Sequence, residues 1–136
     1  MPESTMHDRI STLVYSDPET AHEFLVRVFG LGPGELTRDD KDRVFHAELQ
    51  AGDGVVWLQA ESEDYKLASP LSIGASTSSV VILVDDVDAH FEHAKERGAE
   101  ILYAPVDQPY GYREYSARDL EGHLWSFMKP IAMATS

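Results

Sequence analysis

The sequence contains no cysteine among its 136 residues. A disulfide framework, thiol nucleophiles and cysteine-held zinc or iron–sulfur centres are therefore excluded. Positive charge is also scarce: 11 basic residues stand against 24 acidic ones, a formal net charge of −13. Such a surface repels phosphate backbones and anionic lipid, which argues against nucleic-acid partners and membrane association. No run approaches the ~20 apolar residues that a membrane-spanning helix needs. The stretch Met1–Arg9 lacks the apolar segment of a secretory signal, so a cytoplasmic setting is expected. The phosphate-binding P-loop, the dinucleotide G-x-G-x-x-G and the G-x-S-x-G nucleophile elbow are all missing. Asp39-Asp40-Lys41-Asp42 lacks the spacing and glycine of a calcium loop and reads as a solvated turn.

What is present is enough for one domain spanning residues 1–136. The hydrophobic fraction is 43%, and a chain of this size buries roughly two-thirds of its unfolded surface without staples. The main organising feature is an internal repeat. Asp53-Gly54-Val55-Val56-Trp57 is similar to Glu121-Gly122-His123-Leu124-Trp125, with glycines and tryptophans 68 positions apart. Gly30 and Gly98, each closing a helical pattern, are also 68 apart, and Asp17 and Asp86, each opening one, are 69 apart.

Periodicity fills in each half. A short strand over Ile10–Ser16 meets Ser16-Asp17-Pro18-Glu19, where Ser16 and Glu19 have capping-box spacing and proline suits the first turn. Ala21, Phe24, Leu25 and Val28 follow helical spacing, and Gly30 can form the left-handed cap. Arg43–Gln50 and Val55–Ala60 form a hairpin across Ala51-Gly52-Asp53-Gly54. A further strand near Gly34–Arg38 would complete the first half. The second half repeats the order: strand Val80–Val84, a helix capped by Asp86 with an inner stripe of Val87, Phe91 and Ala94, strand Ile101–Ala104, then a hairpin of Arg113–Arg118 and Leu124–Met128. The expected division is module one at about 9–61, a Ser/Gly/Ala-rich linker at 62–77 and module two at about 78–130. The tails Met1–Asp8 and Ala132–Ser136 lack periodicity and are expected to fray.

Gly111-Tyr112-Arg113-Glu114-Tyr115 followed by Asp119-Leu120-Glu121-Gly122-His123-Leu124-Trp125-Ser126-Phe127 resembles a closing hairpin with the pattern G-x-R-x-Y and D-x-E-G-H-x-W-x-F. Asp85-Asp86-Val87-Asp88 is a second, weaker match. On these residues and the doubled strand–helix–three-strand order, the chain resembles the vicinal oxygen chelate superfamily, in its glyoxalase/bleomycin-resistance branch, over about Ile10 to Lys129. The resemblance implies an α+β fold of two tandem βαβββ modules whose curved mixed sheet makes a half-barrel pocket, and it implies a homodimer. Metal enzymes of that family place ligands in each module's first and last strands. The matching positions here are Ile10, Leu58, Ser79 and Ser126, and neighbouring registers give no better donors. The expectation is therefore no metal and no cofactor, because a divalent ion needs several imidazoles or carboxylates converging on one point.

The candidate binding residues come from strand alternation. In Val44-Phe45-His46-Ala47-Glu48-Leu49, Phe45, Ala47 and Leu49 suit the face under the helix, leaving His46 and Glu48 on the pocket side. They suit an acid–base pair and equally a wet, unreactive wall. Glu114, Ser116 and Ser126 take matching positions in the second module. Tyr110, Tyr112 and Arg113 near the pocket mouth suit a flat ligand through stacking and cation–π contacts, and loop packing serves them equally well. Trp57 and Trp125 both read as core. His22, His90 and His93 read as solvent-facing, and His123 as structural. The resulting expectation is a small-molecule binder for an aromatic or amphipathic compound, of the antibiotic-resistance kind. A metal-independent lyase or isomerase using His46 and a glutamate is the rival reading, and a ligand-free structural dimer the third.

Overall fold

The computed structural model describes residues 4–132, so parts of both tails fall outside the described residues. Eight strands and two longer helices follow the doubled order: β1 (Ser11–Tyr15), α1 (Pro18–Arg27), β2 (Gly32–Arg38), β3 (Val44–Ala51) and β4 (Gly54–Ala60), then a short α2 (Pro70–Ile73). The second set is β5 (Ser79–Leu83), α3 (Val87–Glu96), β6 (Glu100–Asp107), β7 (Tyr112–Arg118) and β8 (Leu124–Pro130). Each set builds one four-stranded mixed sheet, ordered β1-β4-β3-β2 and β5-β8-β7-β6. The first and last strands of each set run parallel because a helix carries the chain across between them.

Both helices begin on an aspartate that spares an orphan N–H. Asp17 accepts from Thr20 N–H and Asp86 from Ala89 N–H. Ser16 is thus not the cap. Its backbone N–H, like that of Asp17, donates instead to the Glu121 carboxylate at 2.8 and 3.0 Å. Gly30 and Gly98 have φ of +77° and +93° and stop the helices in the left-handed region.

Each sheet buries one face under its helix and leaves the other without a helix. In the first module Leu13, Tyr15, Ala47, Leu49, Val56 and Leu58 are buried beneath α1. Phe45 does not join them. A register shift between Thr37 and Arg38 bulges β3, so Val44 turns inward and Phe45 lies 46% exposed. In the second module Tyr115, Ala117, Trp125 and Phe127 are buried beneath α3.

The modules share a core rather than merely touching. The Phe29 ring lies 5.7 Å from that of Trp125 and 5.0 Å from that of Phe127. The β7–β8 turn adds a polar clasp. Buried Asp119 accepts from Tyr15 Oη at 2.5 Å and from Trp125 Nε1 at 3.0 Å. Glu121 accepts from the Ser69 hydroxyl as well as the start of α1. His123 Nε2–H donates to Val14 O. The far end of α1 is held too: His90 Nε2–H donates to Phe29 O at 2.8 Å and His93 Nε2–H to Arg27 O at 3.1 Å. Module two thereby supplies partners for both ends of α1. The expectation that His90 faces solvent is corrected. It stacks on Phe127 at 4.1 Å and takes a hydrogen bond from Tyr115 Oη on Nδ1. Burial pushes the His90 imidazole below its ordinary value and raises the Tyr15 phenol well above its own. His22 is also half-buried, accepting from Gly34 N–H.

Candidate functional site

The helix-free face of the first sheet is polar. His46 pairs with Gln59, which pairs with Val14. Glu48 pairs with Trp57, which pairs with Thr12. His46 Nε2 and Glu48 Oε2 are 3.2 Å apart, and the His46 ring meets Trp57 edge-on at 5.1 Å. Trp57 is therefore on the open face, not in the core, which corrects the sequence reading. The core row of β4 is Val56 and Leu58, and its counterpart in β8 is Trp125 and Phe127, so these strands correspond at 69 positions. The tryptophans match at 68 and so point to opposite sides. A single residue of slip reverses every side chain of a strand, and the longer β7–β8 turn supplies it: β3 and β4 close on the pair Ala51–Gly54, β7 and β8 on Arg118–Leu124.

The helix-free face of the second sheet is apolar around a polar stripe. One row runs Val106, Glu114, Met128 and Leu83. The next runs Tyr103, Ser116, Ser126 and Val81. Ser116 Oγ lies 2.6 Å from Ser126 Oγ and donates to Tyr103 Oη at 2.9 Å. The Tyr110 hydroxyl donates to Glu114 Oε1. Val81 and Leu83 are 51% and 61% exposed, whereas Glu114 is only 4% exposed.

The eight candidate residues thus fall into three groups. His46 and Glu48 sit together on the first sheet. Glu114, Ser116 and Ser126 sit together on the second, with Tyr110 over Glu114 and the Tyr112 ring 6.3 Å from that of Tyr110. Arg113 alternates to the other side, where its guanidinium donates to Asp88 and Asp107. Those two carboxylates raise its pKa, and Arg113 in turn lowers that of Asp88. Within one chain the two open faces belong to separate sheets. The clefts along the linker and between the modules are lined by other residues, such as Pro70, Ala75 and Ser79 in a cleft of about 650 Å³. Sequence reasoning missed Trp57, Tyr103, Val81 and Leu83 on these faces. Alternation from Ser126 across the β5–β8 pairing would have found the last two.

A divalent metal does not fit these faces. On the open faces the last strands offer Trp57 and Ser126, and the first-strand residues paired with them are Thr12 and Val81. Among the described residues no three His, Asp or Glu side chains converge as a metal site.

A family model described as the Glyoxalase/Bleomycin resistance protein/Dioxygenase superfamily matches residues 8–127. The chain belongs to that superfamily. Among solved structures, TioX from Micromonospora sp. ML1 is 33% identical, covers 93% of this chain and all of its own, and superposes with a TM-score of 0.72. TnmS3, an antibiotic binding protein from Streptomyces sp. CB03234, has a TM-score of 0.70 at 19% identity, with 95% and 99% of the two chains covered. An uncharacterized protein of Mycobacterium bovis is 31% identical over 88% of this chain and 80% of its own length. No helix among the described residues is long and apolar enough to cross a membrane.

Proposed function

We propose that the protein is a metal-independent small-molecule binding protein that holds an aromatic or amphipathic compound, of the antibiotic or natural-product kind, without turnover. The observation that carries this reading is the second sheet's open face, where exposed Val81 and Leu83 border the Ser116–Ser126 hydroxyls and the Glu114–Tyr110 pair. Exposed apolar surface beside a few fixed polar groups is the composition of a ligand wall. The shared fold with TnmS3, an antibiotic binding protein, is compatible with this use. The two open faces belong to separate sheets of one chain. The pocket is therefore completed in a homodimer, with the polar face of one copy set against the apolar face of the other, and closed two-fold pairing is the commonest soluble assembly.

Native mass spectrometry of the protein against a panel of conjugated natural products tests this. The expected result is a dimer that binds one of them saturably and releases it unmodified. A monomer at every concentration, or a panel that never saturates, would sink the proposal. The His46–Glu48 contact at 3.2 Å favours one second reading, a lyase or isomerase with that pair moving protons. Glu48→Gln separates the two. A binder keeps most of its affinity for a neutral aromatic ligand. An acid–base enzyme loses ~10²–10⁴ in rate while still binding substrate.

A further inference from the structure

Glu114 is a buried carboxylate with no counter-charge. Its row neighbours are Val106 and Met128, and the adjacent cation, Arg113, is committed to Asp88 and Asp107 on the other side of the sheet. No Lys, Arg or His among the described residues forms an ion pair with it, and its side-chain partner is a neutral phenol, Tyr110, itself 58% exposed. Burying a carboxylate is costly unless a cation and hydrogen bonds compensate. A site that leaves one half-compensated at the edge of an apolar wall is set to gain most from a ligand that brings the missing charge. The chain's net charge of −13 works in the same direction by concentrating cations at its surface.

We infer that this face takes a planar aromatic compound carrying a cationic nitrogen, with the ring against Leu83 and Val106 and the nitrogen on Glu114, where it displaces the Tyr110 hydroxyl. The inference rests on the binding role proposed above and adds the ligand's charge to it.

Two fluorescent dyes with one ring system test it: 9-aminoacridine, cationic at mildly alkaline pH, and acridine, neutral there. The cation should bind at least ~10-fold more tightly, the scale of one charge-assisted contact. Glu114→Gln should remove most of that advantage and change acridine affinity by less than ~3-fold. Tyr110→Phe keeps the ring, removes the competing hydroxyl and should tighten 9-aminoacridine binding, which tests the assignment even if Glu114→Gln folds poorly. Equal affinities for the two dyes, an equal loss of both in Glu114→Gln, or an unchanged cation affinity in Tyr110→Phe would overturn the inference. If neither dye binds but an uncharged natural product does, the cation preference fails and the binding role stands. If nothing in either set binds, both fail.

Discussion

The two modules share an element order and differ in where they keep their aromatic rings. The second packs Tyr115, Trp125 and Phe127 beneath its helix, with Phe91 and His90 from α3 closing over them. The first packs mainly aliphatic residues there, Leu13, Leu49, Val56 and Leu58 beside Tyr15, and turns its tryptophan to the open face beside His46. Their open faces differ in the opposite sense, polar on the first sheet and apolar on the second. A duplicated fold thus needs only the same pattern of buried and open rows, while the content of each row is free to change. That freedom lets the first open face carry the His46–Glu48 pair, while the second sets Glu114 and its serines among exposed Val81 and Leu83.

The strongest way to break this comparison is to truncate the two tryptophans. Trp125→Ala removes a fully buried ring and should cost ~3–5 kcal/mol. Trp57→Ala should cost well under half as much by thermal or denaturant unfolding and should weaken ligand binding instead. Equal losses would mean that both rings are core after all. Next in size is the clasp. Asp119→Ala strands the Tyr15 hydroxyl and the Trp125 indole N–H and should cost ~2–4 kcal/mol. A double-mutant cycle of Asp119→Asn with Tyr15→Phe should show coupling of ~1–3 kcal/mol, and additive effects would refute direct contact between the modules there.

The smallest effect belongs to His90. Its pKa is lowered by burial, so the unfolded chain takes up this proton at higher pH than the folded one does. The stability that neutral His90 contributes is full above the ordinary imidazole value of ~6.5. It is lost as pH falls from there through the depressed folded value. Across that window wild type should lose stability on acidification more steeply than His90→Gln. Parallel curves for the two proteins would show that His90 titrates as if exposed.

The fold was legible because its signals are local and doubled. Asp17 and Asp86 mark helix starts, Gly30 and Gly98 mark stops, and the closing hairpin carries an extended motif. The geometry of the candidate site was legible as far as alternation reaches along one strand, which is why His46 with Glu48, and Glu114 with Ser116, were grouped on one face each. Trp57 was misplaced because a repeat read from sequence at 68 hides one residue of slip that only strand pairing reveals. His90 was missed because its partners, Phe29 O and Tyr115 Oη, lie 61 and 25 residues away, and no helical period announces a contact between modules. Arg113 was assigned with its tyrosine neighbours although alternation alone puts it opposite Tyr112 and Glu114.

The clasp has a consequence for how the chain comes to be folded as it is made. The groups that finish the start of α1 and the end of β1 come from Asp119, Glu121 and His123, more than 100 residues later: the separations are 104, 105 and 109. An emerging chain therefore has its first helix long before it has that helix's anchor. Contacts of such separation come late and slow the search, because loop closure must precede the reward. The first module should then wait on the ribosome in a loosened form, with its N-terminal helix uncapped in trans, and lock only when the final hairpin arrives.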